Sequence, residues 1–154
     1  MKLTDYIDPK CIKVDLSSQY KEEVVEELVF LLADCIDGKV DPDAVYNAVM
    51  MRESEGSTGL EKGIAIPHAK CDYVDRLRIA IGISRDGIDF DSQDGEPSKL
   101  FFLMVAPRNE AGPHVQAIAR IVKITTMEGV KSKLLKANNA ERVIEIINGI
   151  ENGG

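Results

Sequence analysis

The sequence predicts an α/β (α+β) fold, a β-sheet flanked by helices in a single domain. Helical periodicity fills both ends of the chain, while strand-like apolar runs, above all "LRIAIGIS" and "KLFFLMVAP", occupy the middle. A length of 154 residues suits one domain with a real core. Helices at both ends of a few strands call for a sheet covered by helices, and leave the strand order open.

Each element has a local reason. "KEEVVEELVFLLADCI" sets Val24, Leu28, Leu31, Leu32 and Cys35 at helical spacing, with Ser17 or Ser18 as the cap region. In "VDPDAVYNAVMMRESE", Asp41 is an N-cap and Pro42 fits the first helical position. That helix ends near Glu55–Gly56, so Arg52 falls in its last turn. "GIAIPH" reads as a short strand that Pro67 must end or place at an edge. Between the two longer strands, "RDGIDFDSQDGEPS" holds two Asp-Gly turn signals. Three helices follow: "PHVQAIARIVKITT", with a stripe of Val115, Ile118, Val122 and Thr125, then "GVKSKLLKAN" and "AERVIEIINGI". Residues 149–154 read as a frayed tail.

Composition narrows the function. A net charge of -7 argues against nonspecific nucleic-acid binding, which needs clustered Lys and Arg. Cys11, Cys35 and Cys71 lie far apart with no CxxC pair, a pattern suited to reduced thiols, with Cys35 in the core. The N-terminus lacks a signal-peptide stretch and no apolar run could span a bilayer. A cytoplasmic protein without membrane insertion is expected.

The chemistry concentrates in "GSTGLEKGIAIPHAK", which carries one of only two histidines. Gly56, Gly59 and Gly63 permit an irregular turn, Ser57 and Thr58 add hydroxyls, and turn amides can form an anion nest. Pro67 stiffens the approach to His68. Such an imidazole serves as nucleophile, base or ligand, or is simply half-buried and satisfied by a backbone carbonyl. Two histidines and dispersed cysteines are too few for a closed metal site, which needs about four ligands. No G-x-S-x-G elbow is present, and "GLEKG" lacks the end of a phosphate-binding P-loop. His114 shares a helix face with Ile118 and Ile121. It either packs at the helix start or points inward to meet His68.

Three stretches together, "MRESEGSTGLEKGIAIPHAK", "KLFFLMVAP" and "GPHVQAIARIV", resemble the enzyme IIA domains of the bacterial phosphoenolpyruvate-dependent phosphotransferase system. The branch is the fructose/mannitol type, which includes the nitrogen-regulatory members, and the resemblance spans residues 3–148. It implies that His68 accepts a phosphoryl group from the carrier HPr, or a paralogue, and passes it to a cysteine of an enzyme IIB. It implies a mixed β-sheet flanked by helices, attack through Nε2, charge stabilisation by Arg52, hydrogen bonding or orientation by His114, and Thr58 and Ser57 as hydrogen-bond donors to the phosphoryl group or as turn formers. No metal and no cofactor are implied. Leu60 and Lys70 depart mildly from the family pattern. Lys70, Arg76 and Arg78 put positive charge near the motif, as part of a docking rim or as solvated surface. A sugar-uptake carrier, a regulator that acts by phosphorylation-dependent binding, and an interaction domain that no longer takes phosphate remain the alternatives.

Overall fold

The computed structural model describes residues 1–36, 40–109 and 111–153. After two short 3-10 turns come β1 (Ile12–Lys13), α1 (Lys21–Asp34), α2 (Pro42–Ser54), β2 (Ile64–Ala65), β3 (His68–Lys70), β4 (Arg78–Ile88) and β5 (Ser98–Ala106). Then follow α3 (Ala111–Thr125), α4 (Val130–Leu135) and α5 (Ala140–Asn152). The mixed sheet runs β1-β4-β5-β2, and β3 also pairs with β5. Only β4 and β5 are antiparallel; β1 runs parallel to β4, and β2 and β3 run parallel to β5. This is the mixed, helix-flanked α/β sheet expected.

β5 explains why its sequence reads as an unbroken apolar run. Leu100, Phe102, Met104 and Ala106 face one core with α3, α4 and α5. Phe101, Leu103 and Val105 face a second core with α1 and α2. A strand covered on both sides has no polar face to alternate. On β4, Ala80 and Gly82 are small because α1 lies close; a Cβ on Gly82 would sit 2.9 Å from Leu28 Cδ2.

β2 and β3 are one edge strand interrupted at Ile66–Pro67. Ile64 pairs with Leu100 and His68 with Met104, so the register survives the break. Pro67 has no N–H for a ladder, and the edge tolerates it. Asp41 caps α2 by accepting from the Asp43 amide, and Pro42 opens the helix, as expected.

Other expectations are corrected. Ser17 and Ser18 do not cap α1, whose N-cap is Tyr20 without a side-chain bond; both serines hold Glu27 instead. The Asp86-Gly87 signal makes no chain reversal. Gly87, at φ 84°, lies where β4 slips register against β5. A left-handed residue in a strand makes a bulge as readily as a turn. The second signal is the turn, with the Gly95 amide donating to the Ser92 carbonyl. On α3 the buried positions are His114, Ala117, Ile121, Ile124 and Thr125, while Val115 is 62 % exposed. Residues 149–152 are not frayed: α5 continues to Asn152, and the Glu151 carboxylate accepts from the Leu3 and Thr4 amides and pairs with Arg120. Residue 154 lies outside the described residues. Cys35 is half-buried against the second core, its Cα 6.2 Å from that of Cys11. Cys71 is buried.

Phe101, buried and edge-on to Phe90 with ring centres 5.5 Å apart, anchors the core beneath α1 and α2. Phe101→Ala should cost about 3–5 kcal/mol, read as a lower urea midpoint with an unchanged slope.

Candidate functional site

The site forms where the broken edge strand meets the C-terminal end of α2 and the first turn of α3. The open edge of this strand sets the imidazole. The Pro67 carbonyl accepts from the Met104 amide at 3.0 Å, so it serves the sheet. The Ile66 carbonyl lies 2.8 Å from His68 Nδ1. A carbonyl can only accept, so Nδ1 carries the proton and Nε2 keeps its lone pair.

His114 approaches from α3, its ring centre 4.9 Å from that of His68 and its plane turned by 63°. It therefore points inward. It is 5 % exposed, and its Nδ1 has no partner among the described residues. Arg52 comes from the last turn of α2, where Nη1 donates to the Gly56 carbonyl at 2.8 Å. Together with Met51, Lys70 and Arg108 these residues line an open cavity of about 400 Å³.

Charge and burial act in one direction on both histidines. Burial lowers the His68 pKa, and the Arg52 and Lys70 charges add to it; the Ile66 bond and the Glu53 carboxylate oppose it without prevailing. Burial, then the His68 and Lys70 charges, bring His114 down to about 4. Both rings are therefore neutral near pH 7. Arg52, Lys70 and Arg108 face them, with Glu55 the one carboxylate on the cavity wall among the described residues. The arrangement offers a bare nitrogen, a second neutral imidazole and cations suited to an anionic group. Among the described residues no His, Cys, Asp and Glu side chains gather in a group that would hold a metal ion. Nor is any helix there long and apolar enough to cross a membrane.

Ser57 and Thr58 do not join the cavity. Ser57 Oγ donates to the Phe90 carbonyl at 2.7 Å and accepts from the Gly59 amide. Thr58 gives both its amide, at 3.1 Å, and its hydroxyl to the Glu53 carboxylate. Both residues shape the turn. Gly59 is required there, because a Cβ would stand 2.8 Å from the Phe90 carbonyl oxygen. Sequence reasoning missed Glu53 and Arg108. Glu53 was detectable, since it continues the buried stripe of Val45 and Val49 on α2, and a carboxylate on an apolar stripe needs a partner.

Comparison with known proteins agrees with this geometry. The family described as "Phosphoenolpyruvate-dependent sugar phosphotransferase system, EIIA 2" matches residues 5–150. The chain belongs to this family. The fructose-specific EIIABC component of Bacillus subtilis (strain 168) is 38% identical over 96% of this chain. The chain spans only 23% of that relative's length. The nitrogen regulatory protein of Bradyrhizobium diazoefficiens is 29% identical, covering 96% of this chain and 95% of its own. Among solved structures, nitrogen regulatory protein IIA-Ntr from Neisseria meningitidis superposes with a TM-score of 0.87 at 27% identity, over 94% of this chain and 98% of that one. The mannitol IIA of Escherichia coli shares the fold, with a TM-score of 0.77 at 23% identity, over 91% of this chain and 97% of that one. This EIIA chain is thus a phosphotransferase-system component.

The depressed His114 pKa has a thermodynamic consequence. An unfolded histidine takes its proton near pH 6.5, whereas folded His114 takes it near about 4. Between those values the unfolded state binds more protons, so stability falls as pH drops through that window. Urea midpoints measured from pH 6.5 down to 4 should fall more steeply for the wild type than for His114→Gln.

Proposed function

We propose that this chain is a phosphoryl carrier. His68 Nε2 takes the phosphoryl group from the phosphohistidine of HPr or a paralogue, then gives it to a cysteine thiolate of an enzyme IIB. In the first step the new Nε2–P bond forms as the donor's N–P bond breaks. In the second, Nε2–P breaks as S–P forms. Nδ1 keeps its proton on the Ile66 carbonyl throughout. The observation that carries the reading is that 2.8 Å contact, which leaves Nε2 bare beside a cation-lined cavity.

The physics supports it. Phosphoryl transfer depends chiefly on positioning and charge stabilisation. Arg52 meets the phosphoryl oxygens, and a neutral imidazole is a competent nucleophile near pH 7. His114 keeps a hydrogen-bonding nitrogen in reserve and donates from its other one to a phosphoryl oxygen. Neither step calls for a metal or a cofactor. Both partners are cytoplasmic, and we place this chain with them.

The end-to-end match to nitrogen regulatory proteins favours a second reading, in which phosphorylated His68 controls binding to other proteins. Mixing the phosphorylated chain with enzyme IIB domains separates the two. Label moving to a cysteine supports the carrier; a stable phosphohistidine without an acceptor supports the regulator.

Incubation with phosphorylated HPr should give an acid-labile phosphohistidine. His68→Gln should abolish it, and retention of the label by that variant would refute the assignment. Arg52→Ala should slow transfer on the order of a hundredfold with the fold intact.

A further inference from the structure

A buried carboxylate stands behind the nucleophile. Glu53 is 6 % exposed, and both its oxygens accept from the Thr58 amide at 3.1 Å while one also takes the Thr58 hydroxyl. Lys21 Nζ lies 3.4 Å from it and 4.8 Å above the Phe90 ring. The Thr58 carbonyl accepts from the Ile66 amide at 3.0 Å. The Ile66 carbonyl accepts from His68 Nδ1. The donors and acceptors therefore run from α1 and α2, through the turn and the backbone of Ile66, to the imidazole.

We propose that Glu53 is a positioning residue for His68: acting through Thr58 and the Ile66 peptide, it holds the imidazole as the Nδ1–H tautomer with Nε2 aimed into the cavity. Three features carry this. Both Thr58 groups are committed to Glu53, which anchors the backbone from which the Thr58 carbonyl projects. That carbonyl holds the Ile66 amide, and the following Pro67 restricts the Ile66 backbone, so the Ile66 carbonyl keeps its direction. Each Glu53 contact is buried, where a charge-assisted hydrogen bond is strongest. Glu53 touches neither imidazole nor substrate; it acts through the backbone. Its neighbour Arg52 projects from the same helical turn toward the cavity, so one anchored turn sets both nucleophile and cation.

The kinetic consequence rests on the phosphoryl-acceptor reading; the tautomer does not, so the test reads both. Nitrogen-15 spectra of the imidazole rings at neutral pH report the tautomer in the unphosphorylated protein, and transfer from phosphorylated HPr reports the rate. Glu53→Gln and Thr58→Val should each give His68 a mixture of tautomers. Each should lower the transfer rate at saturating donor on the order of ten- to a hundredfold. Leu134→Ala, destabilised on the far side of the sheet, should leave tautomer and rate unchanged. A folded Glu53→Gln variant whose His68 stays wholly Nδ1–H overturns the proposal. If Glu53→Gln does not fold, Thr58→Val decides, because it keeps the amide contacts. A wild type with the Nδ1–H tautomer that takes no phosphate would sink the carrier reading while leaving this one standing.

Discussion

The structure turns on one hydrogen bond, from His68 Nδ1–H to the Ile66 carbonyl. An imidazole presents a nucleophilic nitrogen only when its other nitrogen keeps the proton. Alternate residues of an edge strand turn their backbone groups away from the sheet, and Ile66 is one of them, as Ile64 is. Pro67 gives its carbonyl to Met104, and the Ile66 carbonyl goes to the ring. The register on β5 is the same before and after Pro67, so the sheet tolerates the interruption. Proline at that position restricts the backbone of Ile66, whose carbonyl holds the ring.

Around that bond, burial and charge work together. Burial disfavours a protonated ring, and the cations on the cavity wall disfavour it further. The same cations favour an arriving phosphoryl group. A unit charge about 4 Å from another is worth about 4 kcal/mol at an effective dielectric of 20, so placement counts for more than number. Arg52 is half-buried and held by Gly56, which concentrates its effect. The Arg108 side chain is 66 % exposed and pairs with Asp72, so water screens it and its contribution is smaller.

The readable parts of the sequence are those where a physical constraint is local. The strand run of β5 is apolar throughout because both faces are buried, and Asp41-Pro42 announces α2 by capping it. The Ile-Pro-His stretch shows its histidine for the same local reason. What could not be read depends on residues distant in sequence. Serine and threonine hydroxyls in a glycine-rich turn look like ligand donors until Phe90 and Glu53 are seen to claim them. The α3 stripe was off by about one position, which rotates a helix by about 100° and exchanges Val115 for His114. Cys11 and Cys35 bring the turn before β1 beside the end of α1, a closeness that spacing along the chain cannot show.

The two histidines divide the work by depth. His68 is half-buried at the cavity edge, whereas His114 is nearly sealed beneath it. Under the proposed carrier reading, the group must sit on a nitrogen another protein can reach, and His68 is the one at the cavity edge. A buried imidazole with a pKa of about 4 stays neutral near pH 7, which suits the proposed role of donating a hydrogen bond without bringing a proton that would quench the nucleophile. Exchanging their depths would give an unreachable nucleophile and a solvated partner free to protonate.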